Sequence, residues 1–168
     1  MFKSGDMVVY GGTGVCRVIG IRIPDFAKKA GREYYELEPV YESGTIYAPV
    51  DNENIAMRYV MDRDKANEMI DMIPDIQAEE FRERSTQKLS EHYKEKLKNQ
   101  DCKELFRVII STHEKKERAE AANRKFGQID KKFMKKAENL LYGELAVALE
   151  IDRKDVYAYI MHRIHQNK

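Results

Sequence analysis

The sequence predicts an α+β chain of two domains: a small N-terminal β-barrel followed by an all-α bundle of about five helices. Three observations predict it. Short β-rich runs separated by turn residues fill residues 7–49. Beyond Asp51-Asn52-Glu53-Asn54 the apolar period changes from that of strands to that of amphipathic helices. The chain has 168 residues, 42% hydrophobic and 35% charged, which leaves room for one domain or two small, heavily solvated ones. The expected division is 1–56 and 57–168.

The elements follow in order. Residues 7–10 (Met7-Val8-Val9-Tyr10) form a short β-run. After a glycine-rich turn, residues 15–23 form a richer one with Val15, Cys16, Val18, Ile19, Ile21 and Ile23. Residues 24–31 are a connector with turn residues at both ends. Residues 34–39 alternate, setting Tyr35 and Leu37 on one face and Glu36 and Glu38 on the other. Residues 45–49 (Thr45-Ile46-Tyr47-Ala48-Pro49) make another short strand after Ser43-Gly44. About four strands at this spacing suggest a closed or half-open barrel, whose edges must be covered or used.

Helical signals take over next. Residues 66–73 carry Met69, Ile70 and Ile73, and Pro74-Asp75 is expected to open a helix through Phe81. Leu89, Tyr93 and Leu97 are four apart. Asp101, with Glu104 three residues on, resembles a capping box ahead of Cys102, Leu105, Phe106, Ile109 and Ile110. Asp130 is expected to cap a helix carrying Phe133, Ala137, Leu140, Leu141 and Leu145. Asp152 is expected to cap the last, with Val156, Tyr159, Ile160 and Ile164 on its apolar face.

Composition excludes several classes. No apolar run approaches the ~20 residues that cross a bilayer. The opening Met1-Phe2-Lys3-Ser4-Gly5-Asp6 lacks the apolar stretch of a signal peptide. A cytoplasmic protein is expected, with no membrane partner. Cys16 and Cys102 lie in different segments with no motif, so two reduced, mostly buried thiols are expected. Gly11-Gly12-Thr13-Gly14 is followed by a β-run and has no Lys-Ser/Thr, so it reads as a tight turn and not a phosphate loop. His162 and His165 are three apart, but no ligand cluster completes a metal site. Asp and Glu sit mostly among lysines, as on a solvated helix face. Neither catalytic residues, a cofactor nor a small-molecule substrate is expected.

Charge offers more. The net charge is only +1, yet residues 112–136 hold nine Lys/Arg against four acids, and residues 84–98 hold five against two. Lys131, Lys132, Lys135 and Lys136 cluster around a helix start, where the positive helix end adds to the field. Such a face neutralises phosphates without reading bases. On charge alone, a phosphate-binding face and a merely soluble one fit equally.

Two motifs add to this. Gly5-Asp6-Met7-Val8-Val9-Tyr10, with Gly14-Val15 and then Thr45-Ile46-Tyr47-Ala48-Pro49-Val50-Asp51-Asn52, resembles the RNA-polymerase-interacting domain of the CarD family. Bacterial transcription-repair coupling factors carry the same domain type. The stretch from Asp130-Lys131-Lys132 through Leu140-Leu141-Tyr142-Gly143-Glu144-Leu145-Ala146 is similar to the closing helices of CarD proteins. A coupling factor would continue into a helicase, which the helical second half argues against.

The resemblance implies a non-enzymatic bacterial transcription regulator. Its Tudor-like, SH3-like barrel would dock on the β subunit of RNA polymerase through an exposed strand, here Ile46, Tyr47, Ala48 and Pro49. Its helical domain would contact the backbone and minor groove of promoter DNA at the upstream edge of the melted region, stabilising the open complex. Lys131, Lys132 and Lys136 match basic positions of the family, and Arg84, Lys88 and Lys115 join them on charge. Many CarD proteins carry a tryptophan that wedges against the splayed base step. This chain has no Trp, and Thr86 aligns there. A threonine can hydrogen-bond a phosphate or base edge but cannot stack on a base. The alternative implied is a polymerase-docking adaptor whose helical domain binds another protein, not DNA.

Overall fold

A computed structural model describes residues 1–167 and resolves two compact units that divide between Val60 and Met61. The division lies beyond the boundary expected after residue 56, because a fifth strand follows that point.

The N-terminal unit is one antiparallel sheet. Its strands are β1 (Met7–Tyr10), β2 (Gly14–Arg22), β3 (Tyr34–Pro39), β4 (Ile46–Pro49) and β5 (Met57–Tyr59). They are ordered β4-β3-β2-β1-β5. Alternation dictates the faces: Val8, Cys16, Val18, Tyr35, Leu37 and Ala48 point inward and form the core with Tyr10. A register shift between Val18 and Gly20 lets β2 outrun β3 by one residue, the device that bends a long strand. The turn from β1 to β2 needs its glycines. Gly11 sits at φ +43°, and a Cβ there would meet Ile55 Cγ2 at 2.8 Å. Gly14 sits at φ +90°.

The second unit holds α1 (Arg63–Asp71), α2 (Thr86–Leu97), α3 (Cys102–Ala121), α4 (Gln128–Leu149) and α5 (Val156–Gln166). One core joins them: Ile70 from α1, Tyr93 and Leu97 from α2, Leu105, Phe106 and Ile109 from α3, Phe133, Leu141 and Leu145 from α4, and Val156 and Ile160 from α5. Asp62, Ser85 and Asp101 cap α1, α2 and α3 by accepting from backbone N–H groups three residues on, at 2.7, 3.3 and 3.0 Å. Only half of the capping box forms at α3, because the Glu104 carboxylate turns to Lys96 and Arg107. Among the described residues, no helix is long and apolar enough to cross a membrane.

Three helix starts differ from expectation. No helix runs from Pro74 to Phe81. A single 3-10 turn, Ile73–Asp75, gives way to an irregular segment through residue 85. That segment satisfies itself by tertiary means: Ile76 is buried, and the Glu79 N–H donates to Ser111 Oγ at 2.8 Å. Asp130 does not cap α4, which opens at Gly127 and leaves Asp130 inside the first turn. Asp152 caps only the 3-10 turn Arg153–Asp155 that precedes α5, and with no side-chain bond.

Candidate docking strand and nucleic-acid interface

In the N-terminal unit, β4 is an edge strand. Its ladder runs to β3 alone, with Tyr34↔Pro49, Tyr35↔Ala48, Glu36↔Tyr47 and Leu37↔Ile46. The peptide groups on its other side are therefore outside the sheet, a template for a strand from elsewhere. The four expected residues divide by face. Ala48 is buried, and Ile46 packs half-buried against the core. Tyr47 points outward, 38% exposed. Its ring meets the edge of Phe26 at 5.8 Å, and Phe26 in turn meets Tyr34 at 5.3 Å. Pro49 ends the strand without an N–H to donate. On the inner side, Ala48 and Pro49 border an open cleft of about 540 Å³ together with Phe2, Tyr10, Tyr35 and Met57. Sequence reasoning missed both the aromatic trio and the cleft. Phe26 lies in a connector, and its partners are fixed only by strand pairing.

In the helical unit the expected cations separate into two kinds. Lys131, Lys132 and Lys136 stand exposed on the first turns of α4, with Lys132 Nζ 5.5 Å from the Phe133 ring. Arg84, Thr86 and Lys88 are exposed at the start of α2, where Ser85 provides the cap. Lys115 is different. Its amine lies 3.1 Å from Asp130 Oδ1 and donates to Tyr93 Oη at 3.3 Å. Tyr93 donates a short hydrogen bond to the same Asp130 oxygen. Burial, with the Asp130 carboxylate adding to it, pushes the Tyr93 phenol far above its usual range and keeps it a donor. Lys115 thus ties α3 to α2 and α4 and is already neutralised.

Behind this triad His92 stacks on Phe81, ring centroids 3.6 Å apart. Burial lowers its pKa, against the pull of Glu79. Between α2, the end of α3 and the start of α4 lies a groove lined by Arg82, Arg118, Arg124, Lys125 and Phe126. The charge tally includes Arg118, Arg124 and Lys125 among its cations, but spacing gives no sign that they converge. Glu144 is the second surprise. It is 2% exposed, accepting from Met61 N–H at 3.2 Å and the Cys102 thiol at 3.5 Å.

Compared with known families, residues 2–61 match the CarD-like/TRCF RID domain. The match spans all five strands and stops before α1. The N-terminal unit is therefore a CarD-like RNA-polymerase-interacting domain of Tudor-like fold. No match is found among curated proteins.

Proposed function

We propose that the protein is a non-enzymatic transcription regulator, bacterial and cytoplasmic. It docks on the RNA polymerase β subunit through β4 and holds promoter DNA with its helical unit near the upstream edge of the transcription bubble. The observation that carries this is the coincidence of the matched domain with a free sheet edge at Ile46–Pro49. Strand addition takes its affinity from main-chain hydrogen bonds and its selectivity from side chains on either face. Here those are Tyr47 outside and the cleft beside Ala48 inside. On the DNA side, Arg84, Lys88, Lys131, Lys132 and Lys136 are exposed cations that meet phosphates without reading sequence. The open complex is stabilised because DNA held on docked protein resists reclosing.

The test is binding of the purified chain to the isolated β-subunit lobe, beside Tyr47→Glu. Tyr47 is the better choice than Ile46, whose partly buried side chain also supports the core. Binding lost in the variant, with its fold intact, is the expected result. No binding by the unmodified chain would overturn the docking assignment. A Lys131→Glu/Lys132→Glu variant that docks normally should lose its effect on open-complex lifetime. If it retains full effect, the helical unit serves a protein partner instead.

A further inference from the structure

One groove of the helical unit sets a cationic rim around an apolar floor. It is open, about 350 Å³, and lies between α2, the end of α3 and the start of α4. Leu89, Ala119 and Phe126 line it half-buried, while Arg82, Arg124 and Lys125 stand exposed around them. Phe126 is not among the side chains packed on the apolar core, which Leu89 and Ile129 join. Its place is nevertheless fixed. Asn123 adopts φ +54° and ends α3, with its N–H on the Glu120 carbonyl at 3.1 Å. The Arg124 N–H reaches the Ala119 carbonyl at 2.8 Å. Gly127 then opens α4 with no room for a Cβ, since Asp130 Oδ2 would lie 2.9 Å away. A short loop tied at both ends thus presents Arg124, Lys125 and Phe126 together.

The charges in the groove do not cancel. Asp130 is taken by Lys115 and Tyr93, and a Glu83 carboxylate oxygen accepts the Ser85 N–H at 3.1 Å. Arg118 is shared between Glu80 and Glu114. Arg82, Arg124 and Lys125 have no carboxylate partner among the described residues. An occupant must therefore satisfy both rim and floor. A paired duplex brings phosphates to the rim, but its bases stay stacked inside and leave the floor uncovered. A neutral apolar peptide covers the floor and leaves the cations unmet. An acidic segment with an apolar side chain at its centre does both, and each arginine can meet a carboxylate through two parallel N–H···O bonds.

We propose that this groove docks an acidic, amphipathic segment of a protein partner. The apolar side chain of that segment covers Phe126 and Leu89, and its flanking carboxylates pair with Arg82, Arg124 and Lys125. This goes beyond the DNA contacts proposed for Arg84, Lys88 and the α4 lysines by adding a protein contact beside them.

The experiment uses the full chain and a short fluorescein-labelled peptide, Asp and Glu around a central Leu-Phe pair, read by anisotropy. Salt is held at about 0.15 M, where exposed charges are largely screened beyond about 8 Å. The same peptide with Ser-Ser at its centre should bind about tenfold more weakly, the scale of one buried anchor side chain. Phe126→Ser, checked for an unchanged thermal melt, should lose as much for the Leu-Phe peptide and bind paired duplex as the wild type does. Arg124→Glu/Lys125→Glu changes only exposed side chains and should abolish peptide binding. No binding of the Leu-Phe peptide by wild type, equal binding of the two peptides, or peptide binding that survives either variant would overturn the proposal. Duplex binding that falls with Phe126→Ser as far as peptide binding does would also overturn it, by assigning the groove to the nucleic-acid face. Wild type that binds the peptide but no duplex removes the proposed DNA contacts and leaves this docking site standing.

Discussion

A carboxylate as buried as Glu144 persists only because donors reach it. Met61 N–H and the Cys102 thiol do so, pinning the entry to α1 and the first turn of α3 against α4. Replacing it with Leu keeps bulk and removes the acceptors, so the part-buried Met61 N–H loses its partner. The expected loss is about 1–3 kcal/mol in urea unfolding. Glu144→Gln should lose less, since its amide oxygen still accepts. None of this was legible in sequence, where Glu144 reads like any glutamate of a solvated helix, because its donors come from residues 61 and 102. Lys115 shows the same limit: only the fold brings it to Asp130. Cys16 was easier, since its place in a β-run already marks it as buried. That burial, with Glu42 adding, pushes its thiol up to about 11. Cys16 should therefore resist iodoacetamide at pH 8 in the native protein and alkylate fully on unfolding, as read by mass spectrometry.

At the scale of elements, periodicity carried the long helices and failed between them. α3 repeats its apolar residues every three to four positions from Cys102 to Ile110, and its start behind the Asp101 cap follows. Residues 76–85 have Ile76, Phe81 and charges in a helix-compatible pattern, yet the Glu79 N–H finds its partner on α3, which no local pattern encodes. Phe81 in this segment is held by His92 of α2. That contact makes the packing pH-sensitive, with a definite sign. The free imidazole ionises near 6.5. Burial lowers the native value, and Lys96 and Lys115 reinforce this while Glu79 opposes it. The unfolded chain therefore binds the proton first on acidification. The contribution is complete above about pH 6.5 and is lost as pH falls through the lower, native value. Urea midpoints at pH 7.5 and 5.5 should separate more for the wild type than for His92→Phe, which keeps the ring stack and cannot titrate. Equal separations would show that the imidazole is already solvated.

At the scale of the molecule, the proposed function assigns docking to one unit and DNA contact to the other, and that division has a quantitative consequence. On that proposal free DNA meets the helical unit through a few exposed lysines and arginines, so binding alone should be weak and salt-sensitive. Each phosphate contact contributes roughly −0.9 to the slope of log K against log salt. Once β4 is docked, the same lysines act at the effective concentration set by the link to polymerase, which strengthens apparent binding by about 10²–10⁴ without new contacts. The two surfaces should then fail differently when open-complex lifetime is titrated with protein. Tyr47→Glu removes docking but leaves the DNA face, so its curve should move to much higher concentration and reach the wild-type plateau. Lys131→Glu/Lys132→Glu keeps docking but reverses charge at the phosphates, so its curve should saturate at the wild-type concentration with a lowered plateau. Its slope against salt on free duplex should also be shallower by about one for each lysine that meets a phosphate. If both variants merely shift the midpoint, the helical unit contributes affinity for polymerase and not a grip on DNA, and the two-surface scheme fails.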